Sequence, residues 1–113
     1  MKNENRPWGE FKILKETIDF KVKELTVYPS KRLSYQYHQK RSETWIITKG
    51  IGEITLDDKI SKINKGDIIS IPVGMKHRVK NTGAEDLSII EVQMGEYFGE
   101  DDIIRIADDF NRI

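Results

Sequence analysis

Apolar residues along the chain come in short bursts, near Phe20–Val27, Leu33–Tyr37, Trp45–Thr48, Glu53–Leu56, Ile60–Ile63, Ile68–Ile71, Arg78–Lys80 and Leu87–Gln93. Turn formers separate them: Pro29-Ser30, Lys49-Gly50, Asp57-Asp58, Asn64-Lys65-Gly66, Val73-Gly74 and Asn81-Thr82-Gly83. Many short runs rich in Ile and Val at this spacing predict an all-β antiparallel sandwich or barrel, and not βαβ units. Leu56-Asp57-Asp58-Lys59-Ile60 reads as a hairpin tip. The period changes only after residue 100. There Ile103, Ile104, Ala107 and Phe110 fall on one helical stripe, with Asp101 or Asp102 placed to cap its first turn. The expectation is a short C-terminal helix over about residues 102–110, packed on a β body.

Size and charge narrow the class. A chain of 113 residues makes one domain with one hydrophobic core, centred on residues 20–94. Its 19 Lys and Arg cancel its 19 Asp and Glu, so no general attraction to nucleic acid or anionic membrane is expected. A 37% hydrophobic fraction with 9% aromatics argues against disorder. The absence of Cys excludes disulfide scaffolds, thiolate metal sites and cysteine nucleophiles together. No apolar run approaches the roughly 20 residues of a membrane span, and Met1–Asn5 lacks the apolar core of a signal peptide. A cytoplasmic location is therefore expected.

With two His and no Cys, a metal site must use His38 and His77 or be mostly oxygen. If Leu33–Tyr37 is a strand, Gln36 and His38 point to the same face. Glu43 begins the next strand, so two neighbouring strands can aim Gln36, His38 and Glu43 at one interior point. A further strand ends at Pro72, turns at Gly74 and resumes at His77, where a tight turn can hold an imidazole inward. Two imidazoles, a carboxylate and an amide oxygen suit one borderline divalent ion: Zn foremost, with Mn, Co, Ni or Fe as alternatives.

The residues alone leave other roles open. Either His can be a satisfied core histidine, Glu43 an ordinary strand carboxylate, and Gln36 a partner of bound water. Glu91 sits in the otherwise apolar Leu87–Val92 run, so alternation makes it either buried or solvated, with Gln93 on its side. A buried carboxylate there must be paired, hydrogen-bonded or functional. Trp8 and Trp45 read as core or rim packing, and the Arg6-Pro7-Trp8-Gly9 arm as a turn folding back on the barrel or on a partner.

Gly66-x5-Pro72-x-Gly74-x2-His77-x3-Asn81 matches the second cupin motif at every defined position. The first motif is met with Ser30 and Gln36 in place of its Gly and first His, and with His38, Glu43 and Gly50 on its spacings. The chain is thus similar to the cupin superfamily, which implies a small antiparallel β-barrel or jelly roll. A narrower resemblance runs from Arg6 to Arg112. Arg6-Pro7-Trp8-Gly9, Leu33–His38, Arg41, Glu43, Trp45, His77, Ile90–Gln93 and Gly99-Glu100-Asp101-Asp102-Ile103-x-Arg105 resemble the type II mannose-6-phosphate isomerase domain. In larger members that domain follows a nucleotidyltransferase; this chain resembles the isomerase module standing alone. The chain departs from the family at Gln39, Lys40 and Thr44, where members commonly carry His.

The resemblance implies a metal-dependent interconversion of mannose 6-phosphate and fructose 6-phosphate, or of a related sugar phosphate. It implies metal ligands Gln36, His38, Glu43 and His77, a catalytic base at Glu91 and an active-site Arg105. Lys40, Arg41, Arg105 and Arg112 are candidates to bind the phosphate, although each can also be surface charge. A homodimer is expected, because many cupins pair or exchange edge strands. Two rivals stand beside this: a non-catalytic sugar-binding module, and another cupin metal enzyme such as a dioxygenase.

Overall fold

The computed structural model describes residues 3–112. The described residues form strands β1 (Asn3–Arg6), β2 (Gly9–Glu16), β3 (Phe20–Val27), β4 (Tyr35–Tyr37), β5 (Arg41–Lys49), β6 (Ile51–Leu56), β7 (Lys59–Asn64), β8 (Ile68–Ile71), β9 (His77–Asn81), β10 (Leu87–Gly95) and β11 (Ile104–Ala107). They build a six-stranded sheet, β1-β2-β3-β10-β5-β8, and a five-stranded sheet, β11-β4-β9-β6-β7. The pairings are antiparallel throughout, as the spacing of the apolar bursts predicts.

Local chemistry sets the turns. Asp57 (φ 45°) and Asp58 (φ 71°) close the β6–β7 hairpin, with Leu56 opposite Lys59. A two-residue turn left-handed at both positions twists in the sense the flanking strands require, and Asp tolerates that conformation. Gly74, at φ 82°, has nothing near its α-carbon that a side chain would strike, so the backbone conformation alone calls for glycine. Its N–H donates to the His38 carbonyl at 2.8 Å, tying the β8–β9 turn to the end of β4.

The inner face of the six-stranded sheet divides along its strands. One end carries the rows Phe11–Leu25–Ile89–Ile47 and Val27–Leu87, which pack with Ile54, Ile63 and Val79 of the other sheet into the core. The other end carries Lys23–Glu91–Trp45–Ile69 and Lys21–Gln93–Glu43–Ile71. All eight of these side chains are buried as well. The core also takes in Trp8 and Phe11, upstream of the first apolar burst. Arg6-Pro7-Trp8-Gly9 is the tight turn between β1 and β2 and folds back on the barrel, where Tyr28 N–H donates to the Trp8 carbonyl at 3.0 Å.

The expected C-terminal helix over 102–110 does not form. Among the described residues only a single 3-10 turn, Glu100–Asp102, is helical; the chain then enters β11, which pairs with β4 (Ile104 opposite Tyr37, Arg105 opposite Gln36). Two forces favour the strand. A helix of nine residues is marginal by itself, whereas β11 satisfies the open edge of β4. Ile103, Ile104 and Ile106 are β-branched and suit a pleated surface.

Candidate metal centre

His38, Glu43 and His77 meet at the polar end of the barrel, all buried, with one ligand atom from each lying within 4.8 Å of the others. Each arrives from a different element: His38 just after β4, Glu43 on β5 and His77 at the start of β9. Glu43 is held by two donors, Trp45 Nε1 to Oε1 at 2.9 Å and Arg41 Nε to Oε2 at 2.8 Å. Burial pushes the Glu43 carboxyl up. That is outweighed by His38, His77 and the Arg41 guanidinium, which hold it well below its ordinary value.

The imidazoles are oriented by main-chain oxygens. His38 Nδ1 lies 3.2 Å from the Asp102 carbonyl, and His77 Nδ1 lies 3.0 Å from the Met75 carbonyl. A carbonyl only accepts, so each Nδ1 carries a proton and each Nε2 is left facing Glu43. His38 Nε2 is 3.1 Å from Glu43 Oε2 and His77 Nε2 is 3.9 Å from Oε1. His77 Nε2 is buried without a hydrogen-bond partner. Burial also depresses the His77 pKa, against the pull of Glu43. Two Nε2 atoms and an ionised carboxylate therefore converge on one point, and with both rings neutral this donor set fits a divalent metal ion. Gln36 stands beside the cluster, buried and opposite His77 in register, with its Oε1 accepting from Ser34 Oγ at 2.6 Å.

A pocket opens beside Glu43, lined by Arg6, Lys23, Gln36, Arg41, Glu91, Glu100, Ile103, Arg105 and Arg112 together with Trp8, Phe11, Leu25, Leu33 and Trp45. Glu91 is buried, and Gln93 Nε2 donates to its Oε2. Burial, reinforced by the charge of Glu43, pushes the Glu91 carboxyl up to about 8, against the pull of Lys23. Arg105 reaches the pocket because β11 is a strand: Ile103 and Arg105, two residues apart, both line it, while Ile106 is exposed. Its Nε is buried without a partner, and burial, then Arg112, lowers its pKa. Arg41 is buried inside, not at the surface, with Nη1 unpartnered 3.8 Å from Glu100. Arg112 lines the pocket while bonded to Asp108. Lys40 lies outside it: the side chain is exposed, and Nζ stands 5.2 Å from the Tyr97 ring centre.

Lys23, Arg6, Glu100 and Asp102 also stand at or beside the site, with no site role evident from the sequence. Lys23 is buried, opposite Glu91 in register, with Nζ 3.3 Å from Glu100 Oε2. Counting back by twos from Val27 and Leu25 would have turned Lys23 and Lys21 inward. No helix among the described residues is long and apolar enough to cross a membrane.

Comparison with known proteins agrees with this geometry. The family described as Mannose-6-phosphate isomerase C-terminal matches residues 1–108. The xanthan biosynthesis protein XanB of Xanthomonas campestris is 42% identical over 107 residues, covering 95% of this chain and 23% of its own length. The alginate biosynthesis protein AlgA of Pseudomonas aeruginosa is 43% identical over 107 residues, again 95% of this chain and 22% of its own length. The chain thus spans under a quarter of these relatives. Among solved structures, a Klebsiella pneumoniae protein with a double-stranded β-helix domain superposes with a TM-score of 0.80 at 20% identity, covering 94% of this chain and 90% of that one. With its fold, its cupin motifs and its match over nearly the full length all in agreement, the chain belongs to the mannose-6-phosphate isomerase C-terminal family of cupin domains.

Proposed function

We propose that this domain is a metal-dependent aldose–ketose isomerase acting on mannose 6-phosphate and fructose 6-phosphate or a closely related sugar phosphate. The observation that carries this is the position of Glu91. A buried carboxyl poised near neutral pH lines the same pocket as Glu43 of the His–Glu–His cluster and as the guanidinium groups of Arg6, Arg105 and Arg112. Isomerisation needs one group to take the proton from C2 of the aldose and return it to C1, by way of a cis-enediol. A carboxylate with a pKa close to working pH can do both. Gln93, bonded to one oxygen of Glu91, steadies the carboxyl while the other oxygen meets the substrate. Arg105 and Arg112, with Arg6 beside them, would grip the phosphate and fix which carbon faces Glu91.

His38, Glu43 and His77 would hold the divalent ion, with Gln36 as the adjacent amide donor. When bound, the ion supplies Lewis-acid polarisation of the substrate carbonyl. One observation favours a second reading, a sugar-phosphate-binding module without turnover: Arg41 already spends its Nε on the carboxylate that the ion would need. The deciding experiment strips the protein with a chelator, restores Zn, Mn, Co, Ni or Fe separately, and assays isomerisation of mannose 6-phosphate. Turnover restored by one or more ions is expected. Tight binding of mannose 6-phosphate with no turnover under any ion assigns the second reading.

A further inference from the structure

Asp102 is a buried carboxylate that the proton transfers above do not use. It ends the 3-10 turn that leads from β10 to β11. Its Oδ1 accepts from the Gln39 N–H at 3.1 Å and its Oδ2 from the Lys40 N–H at 2.9 Å. Its own carbonyl accepts from His38 Nδ1 at 3.2 Å. One residue therefore grips three consecutive positions of the β4–β5 connection. The two imidazoles of the centre differ in this respect. His77 is oriented by Met75, two residues away, so its own turn fixes it. His38 takes its orientation from a carbonyl 64 residues further along the chain, and that carbonyl is only as well placed as the turn that carries it.

We propose that Asp102 is a positioning residue of the centre: by tethering Gln39 and Lys40 through its carboxylate, it sets its own carbonyl against His38 and holds Nε2 towards Glu43. The proposal rests on the metal-centre assignment made above and adds to it the part that keeps one ligand aimed. The chemistry calls for Asp in particular. Two main-chain donors converge on this side chain, and a carboxylate offers each an acceptor; Asn would present an NH2 to one of them, and Ala would leave both unpaired.

The test uses the full chain, stripped of metal, as wild type, Asp102→Asn and Asp102→Ala. Co2+ binding is titrated by absorption, and long-range 1H–15N NMR reads the tautomer of each imidazole in the metal-free proteins. The expected result is a Co2+ dissociation constant raised about 10–100-fold in Asp102→Ala and less in Asp102→Asn. His38 should lose its single Nδ1–H tautomer while His77 keeps its own. Unchanged Co2+ affinity and an unchanged His38 tautomer, beside a lowered melting temperature, would make Asp102 a structural cap and overturn the proposal. Should Asp102→Ala not fold, Asp102→Asn carries both measurements. If wild type takes up no Co2+, the metal assignment fails separately, and the tautomer comparison still decides for or against the tether.

Discussion

The two ends of the inner face of the six-stranded sheet share strands, register and burial, yet they carry opposite chemistry. Ile47, Ile89 and Leu25 at one end gain free energy by leaving water, about 1.5–3 kcal/mol for each fully buried side chain. Trp45, Glu91 and Lys23, one step along the same strands, bury an acid and a base whose desolvation is unfavourable unless each finds a partner. The charged residues of that end are therefore tolerated by the fold and do not drive it, while Trp45, Ile69 and Ile71 beside them belong to the core. Stability and chemistry are separated by two residues along β3, β5 and β10, and substitutions at the two ends should fail in different ways.

The sharpest contrast is at Glu91. Glu91→Gln keeps the shape and removes the base, so kcat should fall by about 100-fold to 10,000-fold, roughly 3–5 kcal/mol of barrier, with bound metal retained. Steady-state kinetics beside metal analysis check this. Ile89→Ala is the mirror case: denaturant unfolding should show a loss of about 2–5 kcal/mol, with kcat per folded molecule unchanged. A large loss of kcat in Ile89→Ala would mean that the two ends are coupled after all.

A third outcome concerns pH. The folded chain keeps the Glu91 proton up to about 8, whereas the unfolded chain releases it near about pH 4.3. Below the lower value both states are protonated and the group makes no difference. As pH rises between the two, stability is lost by at most about 1.4 kcal/mol per unit, and the loss stops once the folded carboxyl ionises. Metal-free Glu91→Gln has no such proton to lose. It should become more stable than wild type above about pH 5, the gap widening towards about pH 8, as melting temperatures across that range will show. The smallest effect is expected at Arg105→Ala. KM for mannose 6-phosphate should rise about tenfold, or about 1.4 kcal/mol, while weak turnover of unphosphorylated mannose stays the same. Equal damage to both substrates would place Arg105 in the scaffold instead.

Much of this was legible in the residues. The Asp57-Asp58 hairpin, the turn at Gly74 and the inward His38, Glu43 and His77 all follow from local spacing. The failures share a cause: tertiary pairing overrode a local pattern. Ile103, Ile104, Ala107 and Phe110 do lie on a helical stripe, but a nine-residue helix is marginal by itself and pairing with the open edge of β4 prevailed. β1 and β2 leave little trace in the sequence because Asn3–Arg6 is polar and the Phe11–Ile13 alternation is embedded among Lys and Glu. The burial of Lys23 is not legible locally, because buried Lys is rare and its partners Glu91 and Glu100 lie far along the chain. The helix that Asp101 or Asp102 is expected to cap is absent, and Asp102 binds the main chain of Gln39 and Lys40 instead.

The distance along the chain between His38 and Asp102 has a consequence for how the protein is made. Closing a loop of 64 residues costs about 4 kcal/mol in chain entropy. Three hydrogen bonds at about 1 kcal/mol each do not cover that. The contact can persist only after strand pairing between β4 and β11 has already brought the ends together. On a ribosome, the barrel's first hundred residues can collapse around their apolar rows while His38 is still without its orienting carbonyl. Capacity to bind metal should therefore appear late in refolding, after most of the burst of intrinsic tryptophan fluorescence change from Trp8 and Trp45 is complete.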